Sequence, residues 1–300
     1  MSVPAAYFAV VLIWSTTPLG IVWSSETVSP TIAVLMRMVI AAVLGLALLK
    51  FKGMSVPGNK QAMKVYWFSA LGIFGGMLFS YMAAAYISSG MMSLIFGLSP
   101  VFSGLLAQKI LNEAKFSRTR KLAMLVSLSG LALVCSDNLS MTEQNPLGLI
   151  FILLAVFFFS LSAVLVKSVK VAIHPMATTV GALLVSIPLF LLAWLVLDGT
   201  MPVHEWQARS LWAILYLGVF GSLIGFVAYY YVLQKLSAST VTLITMITPV
   251  IALSIGAYLN NETVSTNLII GAVFVMSGLA IYNWGEKLLP GKRLPGTAQE

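Results

Sequence analysis

The sequence predicts an all-α membrane protein: ten transmembrane helices built as two five-helix repeats of inverted topology. Three observations carry that prediction. The 300-residue chain is 59% hydrophobic and only 9% charged, where soluble proteins carry roughly 25% charged residues. Its apolar residues fall into ten helix-length runs whose flanking lysines and arginines sort to one side. Its second half repeats the first at an offset near 149 residues. A mean hydropathy of +0.97 excludes a pair of soluble domains, and the apolar content fills eight to ten spans of about 20 residues each. The net charge of +8 follows from basic cytoplasmic loops, so a lipid bilayer is the expected partner and nucleic acid is not. The single Cys135 excludes an intramolecular disulfide framework and a cysteine metal cluster. No cofactor or metal is expected.

The spans follow in order. Span 1 covers about 5–23; Met1-Ser2-Val3-Pro4 lacks the basic region of a cleavable signal, so this run reads as retained. Span 2, about 30–49, is opened by Pro30, a residue suited to the first helical turn. Spans 3 and 4, about 65–86 and 90–110, form a tight hairpin, and span 5 covers about 121–136. The second half keeps this rhythm. Span 6 covers about 147–167 and span 7, opened by Pro175, about 175–197. Spans 8 and 9, about 210–233 and 238–259, make the second hairpin, and span 10 covers about 266–285. The first repeat is assigned to 1–138, the second to 139–287, and 288–300 to a mobile cytoplasmic tail.

Loop charges orient the chain. With the N-terminus in the cytoplasm, the cytoplasmic loops carry Lys50 to Lys64, Lys109 to Lys121, Lys167, Lys170, Lys235 and the basic residues from Lys287 onward. The opposite side holds only Arg209. That is a strong positive-inside bias, and a missed span would scramble it.

The halves match residue by residue. Ser88-Ser89-Gly90 leads to Ser99-Pro100-Val101 and Glu113; 149 residues on, Ser237-Ala238-Ser239 leads to Thr248-Pro249-Val250 and Glu262. Ser129-Gly130-Leu131-Ala132 matches Ser277-Gly278-Leu279-Ala280, and Leu71-Gly72-Ile73-Phe74-Gly75 matches Leu217-Gly218-Val219-Phe220-Gly221. Five spans is an odd number, so the second repeat enters the membrane from the other side. Inverted repeats of this kind underlie alternating access; the plainer reading is an old duplication retained for folding.

The residues that carry a family likeness are Ile13-Trp14-Ser15 in span 1, Met36-Arg37-Met38-Val39 in span 2, the Ser/Ala-rich starts of spans 4 and 9, and the Pro100 and Pro249 motifs with Glu113 and Glu262. In this order and repetition, over about residues 5–285, the chain resembles the drug/metabolite transporter superfamily, in its ten-span EamA type. The resemblance implies cytoplasmic termini, a central cavity lined by spans 1, 3, 4, 6, 8 and 9, and export of a small metabolite; the topology points to the cell inner (plasma) membrane. Two features depart from the pattern: Ser15 stands where glycine is expected after the span-1 Trp, and Asn112 and Asn261 precede the repeat glutamates in place of glycine.

Candidate site residues come from polar and aromatic positions inside the spans. Pro100 and Pro249 each remove a backbone hydrogen bond and free the carbonyl four residues back, which in lipid needs a partner or a polar cavity. Ser93, Phe96 and Pro100 share a helical face; Thr242, Thr245 and Pro249 repeat it. Trp14 and Thr17 of span 1 correspond to Phe159 and Ser162 of span 6 at an offset of 145, and Tyr81 corresponds to Tyr230 at 149. Together they describe an aromatic pocket with a few hydroxyls, suited to a small amphipathic or zwitterionic substrate such as an amino acid. For each aromatic the alternative is lipid or core packing, and for the prolines a kink that serves packing. Gly72 and Gly76, like Gly221 and Gly225, form GxxxG seams for close helix approach.

Arg37 is the one charge well inside a span, and its repeat counterpart is Ala182. It is a candidate partner for a substrate carboxylate; the alternative is snorkelling outward to the interface. Every carboxylate falls in a loop or at a span end, which leaves no mid-membrane proton relay. Glu113 and Glu262 are candidates for gating or for capping the helix that follows each. The chain reads as a transporter and not an enzyme: His174 and His204 lie in or beside loops on opposite sides, and no nucleophile has a paired base nearby. A channel would show charged rings or a filter loop, and neither is visible. The sequence specifies neither a monomer nor a dimer.

Overall fold

The computed structural model describes residues 2–140, 146–236 and 244–288; Thr242 and the expected tail from 289 onward lie outside them. Among the described residues ten α-helices follow in order: α1 (Val3–Ser24), α2 (Pro30–Phe51), α3 (Lys60–Ala83), α4 (Ser89–Ile110), α5 (Arg118–Ser140), α6 (Leu147–Ser168), α7 (Pro175–Leu197), α8 (Ala208–Lys235), α9 (Ile244–Asn260) and α10 (Thr266–Leu288). Eight are long and apolar enough to cross a membrane. The other two are α5, whose 23 residues span about 35 Å at 1.5 Å per residue, and α9, described from Ile244.

Local chemistry sets the helix starts. Ser2, Asn59 and Ser88 each accept a hydrogen bond from a backbone N–H in the first turn of α1, α3 and α4, satisfying a donor that has no partner within the helix. Pro30 and Pro175 open α2 and α7, where the missing N–H costs nothing. Chain reversal after α4 and after α9 uses the same device: Asn112 (φ 54) and Asn261 (φ 50) adopt the left-handed region, which asparagine tolerates better than other residues with a side chain. The next N–H then returns to Ala107 O in one repeat and to Gly256 O in the other. The asparagines that depart from the expected glycine thus fill a position with a backbone reason.

Packing obeys the exchange of repeats. α5 lies along α10, α2 along α7 and α4 against α9; α3 touches α6 and α7, as α8 touches α1 and α2; α4 meets α6, as α9 meets α1. Each contact maps onto itself or onto another when the repeats are swapped. The α5–α10 seam is the closest. A Cβ on Gly130 would lie 2.6 Å from the Gly271 carbonyl, and one on Gly278 would strike Ser127, so the glycines matched by sequence are the points of approach. The outer surface carries large apolar side chains such as Phe8, Val43, Leu192 and Val273, while Ser69, Thr179 and Ser186 are buried. This is the pattern of a chain solvated by lipid tails.

Two irregularities also repeat. α3 carries a π turn at Gly72–Gly76, and α8 carries one at Leu217–Ile224. α4 breaks at Gly97–Leu98, so that Pro100 sits in the first turn of a second segment, Ser99–Ile110. The sequence placed Pro100 deep in one continuous helix. The structure corrects this: the Phe96 carbonyl accepts from Ser99 Oγ at 2.6 Å, and the chain restarts. Pro249 stays inside an unbroken α9.

Candidate functional site

A cavity of about 430 Å³ runs down the centre of the bundle, lined by α1, α3, α4, α6, α8 and α9, with Arg120 of α5 and Tyr282 and Asn283 of α10 added at one end. The π turns help to shape its walls. At Gly72 and Gly76 the backbone of α3 comes up against Ser162 and the ring of Phe159 on α6. In α8, Gly225 brings the backbone close to Ile13 of α1. π turns place side chains off the α-helical register and recur at functional sites.

Most of the residues expected to form a pocket do so. Trp14, Thr17, Ser93, Phe96, Phe159, Ser162, Tyr230, Thr245 and Pro100 all line the cavity, and so does Glu113. The Trp14 ring rests 4.9 Å from that of Tyr229, and Phe96 meets Phe159 edge-on at 5.6 Å. Hydroxyl protons are committed to backbone carbonyls: Thr17 donates to Ile13 O at 2.7 Å, Ser80 to Gly76 O at 2.7 Å and Ser160 to Ser99 O at 3.3 Å. These hydroxyls therefore offer lone pairs to a ligand. Sequence reasoning missed Tyr229, Ser80 and Ser160. The adjacent Tyr229-Tyr230 pair was the available signal for the first.

Four of the described candidates, Tyr81, Pro249, Glu262 and Arg37, do not line the cavity, and the first three are each the pseudo-equivalent of one that does. Tyr81 is fully buried, its phenol accepting from Ser24 Oγ at 3.3 Å, whereas Tyr230 lines the wall. Pro249 is buried outside the lining, whereas Pro100 belongs to it. Glu262 is engaged elsewhere, whereas Glu113 lies in the cavity mouth. The cavity meets exposed residues at the end bearing Glu113 and Lys167 and stops at Ile21 and Met77 towards the other.

That other end is tied shut by polar contacts across the repeats. Glu262 caps α4 of the first repeat and not the helix that follows it, which corrects the sequence expectation: the loop after α9 folds back over the start of α4 and not towards α10. Beside it, Asn260 Oδ1 accepts from Trp23 Nε1 at 2.8 Å and from Arg209 at 3.0 Å. Arg209 stacks over the Trp23 ring at 4.5 Å and reaches Glu26 at 3.6 Å.

Arg37 does not snorkel. Its side chain is 0% exposed and turns into the bundle, where Nε donates to Ser222 Oγ at 2.8 Å and the guanidinium sits 5.8 Å from the Tyr81 ring centre. The Ser222 hydroxyl and the Tyr81 ring give the inward path its partners.

Residues 3–136 and 146–284 each match the EamA-like transporter family. The chain belongs to that family. Among EamA-like relatives, an uncharacterized transporter of Archaeoglobus fulgidus is 25% identical over 275 residues, covering 90% of this chain and 95% of its own. The uncharacterized inner membrane transporter YedA of Escherichia coli K12 is 24% identical, covering 96% and 92%. Protein PagO of Salmonella typhimurium is 26% identical, covering 100% and 96%. A solved crystal structure superposes with a TM-score of 0.67 over 94% of this chain and 97% of its own at 18% identity, a likeness of fold. The protein is thus a multi-pass membrane transporter of the EamA type.

Proposed function

We propose that this transporter moves a small amphipathic or zwitterionic organic solute, of the amino-acid type, across the cell inner membrane by alternating access. The two repeats, 1–138 and 139–287, exchange conformations, and the structure corresponds to the state open to the cytoplasm. The observation that carries this reading is the split of equivalent pairs. Tyr230, Pro100 and Glu113 line the cavity while Tyr81, Pro249 and Glu262 do not. Swapping the repeats' conformations would reverse every one of those assignments, which is what the inverted-repeat mechanism requires. Cytoplasmic termini are supported by the basic loops, and the inner membrane by the similarity to the inner membrane transporter YedA. Export follows from the family resemblance.

The pocket chemistry supports the solute class. Aromatic faces on Trp14, Tyr229, Phe96 and Phe159 suit an apolar body or an ammonium group, and acceptor hydroxyls suit an N–H donor. The deciding experiment reconstitutes the protein in liposomes and screens labelled amino acids and amines. Saturable uptake accelerated by the same solute on the far side is expected; ion conductance without counterflow overturns the reading in favour of a channel.

A further inference from the structure

We propose that Arg37 forms a subsite for the carboxylate of the transported solute, at the closed end of the cavity. The proposal rests on the transport reading above and adds the chemical group that is recognised.

Arg37 sits seven residues beyond Pro30, about 10 Å along α2 at 1.5 Å per residue, and reaches neither interface. Its guanidinium is a planar, positively charged fork of donors. Nε is bound to Ser222, but Nη1 and Nη2 are buried with no hydrogen-bond partner among the described residues. Within the membrane such a charge is costly unless something pairs with it. The two free nitrogens are the edge of the guanidinium that grips a carboxylate with two parallel bonds.

Its place relative to the cavity is specific. On three helices, a residue of the cavity lining stands one turn from a residue of the Arg37 layer: Ile21 from Ser24 on α1, Met77 from Tyr81 on α3, and Phe226 from Ser222 on α8. One turn is about 5.4 Å. Tyr81 is the counterpart of Tyr230, which already lines the cavity. When the repeats exchange conformations, Tyr81 and the guanidinium beside it become the wall of the pathway. The backbone is also kept clear of the guanidinium: a Cβ on Gly221 would stand 3.0 Å from Nη2.

Repeat symmetry argues against a purely architectural role. The counterpart Ala182 is equally buried, and α7 packs against α2 and α3 as α2 packs against α7 and α8. The repeat folds without an arginine at this position, so one charge per molecule is present, matching one carboxylate per solute. A phosphate would call for a second cation, and among the described residues no other lysine or arginine is found in the contacts of this layer.

The test measures the thermal shift of purified wild-type protein with L-phenylalanine, L-leucine and L-glutamine, each against its carboxamide. The acids are expected to stabilise the protein and the amides to do so at least about tenfold more weakly. Arg37→Gln should erase that preference while leaving the weak amide response in place. Equal responses to acid and amide in the wild type overturn the proposal, and that arm needs no variant to fold. An acid preference that survives Arg37→Gln overturns it too. Trp14→Ala separates the two readings. If ligands shift the wild type and lose their effect in Trp14→Ala but show no acid preference, the cavity stands and the Arg37 subsite falls. If no amino acid, amide or amine shifts the wild type, both fall.

Discussion

Glu262 of the second repeat caps the helix that begins at Ser89 in the first. One oxygen accepts from Ser89 N at 3.1 Å, and the other accepts from Ser89 Oγ at 2.9 Å and Gly90 N at 3.2 Å. Asn260 Nδ2 steadies the carboxylate at 3.2 Å. A negative group here meets both the free N–H groups and the positive end of the α4 dipole.

Glu262→Gln removes the charge from that contact and should weaken it by about 1–2 kcal/mol. A destabilisation of that size moves a two-state balance roughly 5- to 30-fold, towards the form open at the Ser89 end. Labelling of Tyr81→Cys by an impermeant maleimide, in a Cys135→Ser background, should rise by a factor in that range.

Trp14→Ala deletes a ring that faces the cavity and packs on Tyr229. Solute affinity should fall about 10- to 100-fold, the loss expected for removing 1.5–3 kcal/mol of apolar contact. Tyr81→Phe removes only a hydroxyl that lies outside the cavity of this state, and cytoplasmic-side affinity should stay within about twofold of wild type. Equilibrium binding to detergent-purified protein checks both.

Gly278→Ala would press a methyl group into Ser127 and the Ala123 carbonyl. Overpacking of this kind costs about 1–3 kcal/mol. The melting temperature should drop while ligand affinity at low temperature is kept, because neither Gly278 nor Ser127 lines the cavity.

Asp198 ends α7 and is bonded by Thr200 Oγ1 at 2.7 Å and Thr31 Oγ1 at 3.3 Å. Hydrogen bonds from Ser29 and Thr200 hold its carboxyl below the usual value of 3.8. A lowered folded-state pKa means that the ionised form favours folding. Its contribution is complete above the unfolded value and is lost as pH falls through the folded one. Wild type should therefore melt above Asp198→Asn at neutral pH, and the two curves should converge as the pH drops below about 4.

Much of this was legible in the residues. Pro30 and Pro175 announced helix starts because proline has a local steric meaning, and Gly130 with Gly278 were legible only as matching repeat positions, not as a seam. Trp14, Phe159 and Ser162 were found because repeat alignment placed them on facing helices. Tyr81 was put in the pocket by the same alignment, yet it is buried outside the cavity while Tyr230 lines it: a repeat match reports equivalent positions, not equivalent packing. The role of Glu262 was out of reach for another reason. Its partners lie 172 and 173 residues away, and capping rules read only neighbours in the chain. The π turns were read as GxxxG seams, since glycine spacing reports close approach and not an added residue in the turn.

The backbone approach of α5 to α10 at Gly130 and Gly278 has a mechanical corollary. Helices nested against one another's carbonyls cannot slide without first separating. In the alternating-access cycle proposed above these two travel as a single strut, and the rearrangement falls to α1, α3, α4, α6, α8 and α9, which turn against it as panels do against a doorpost.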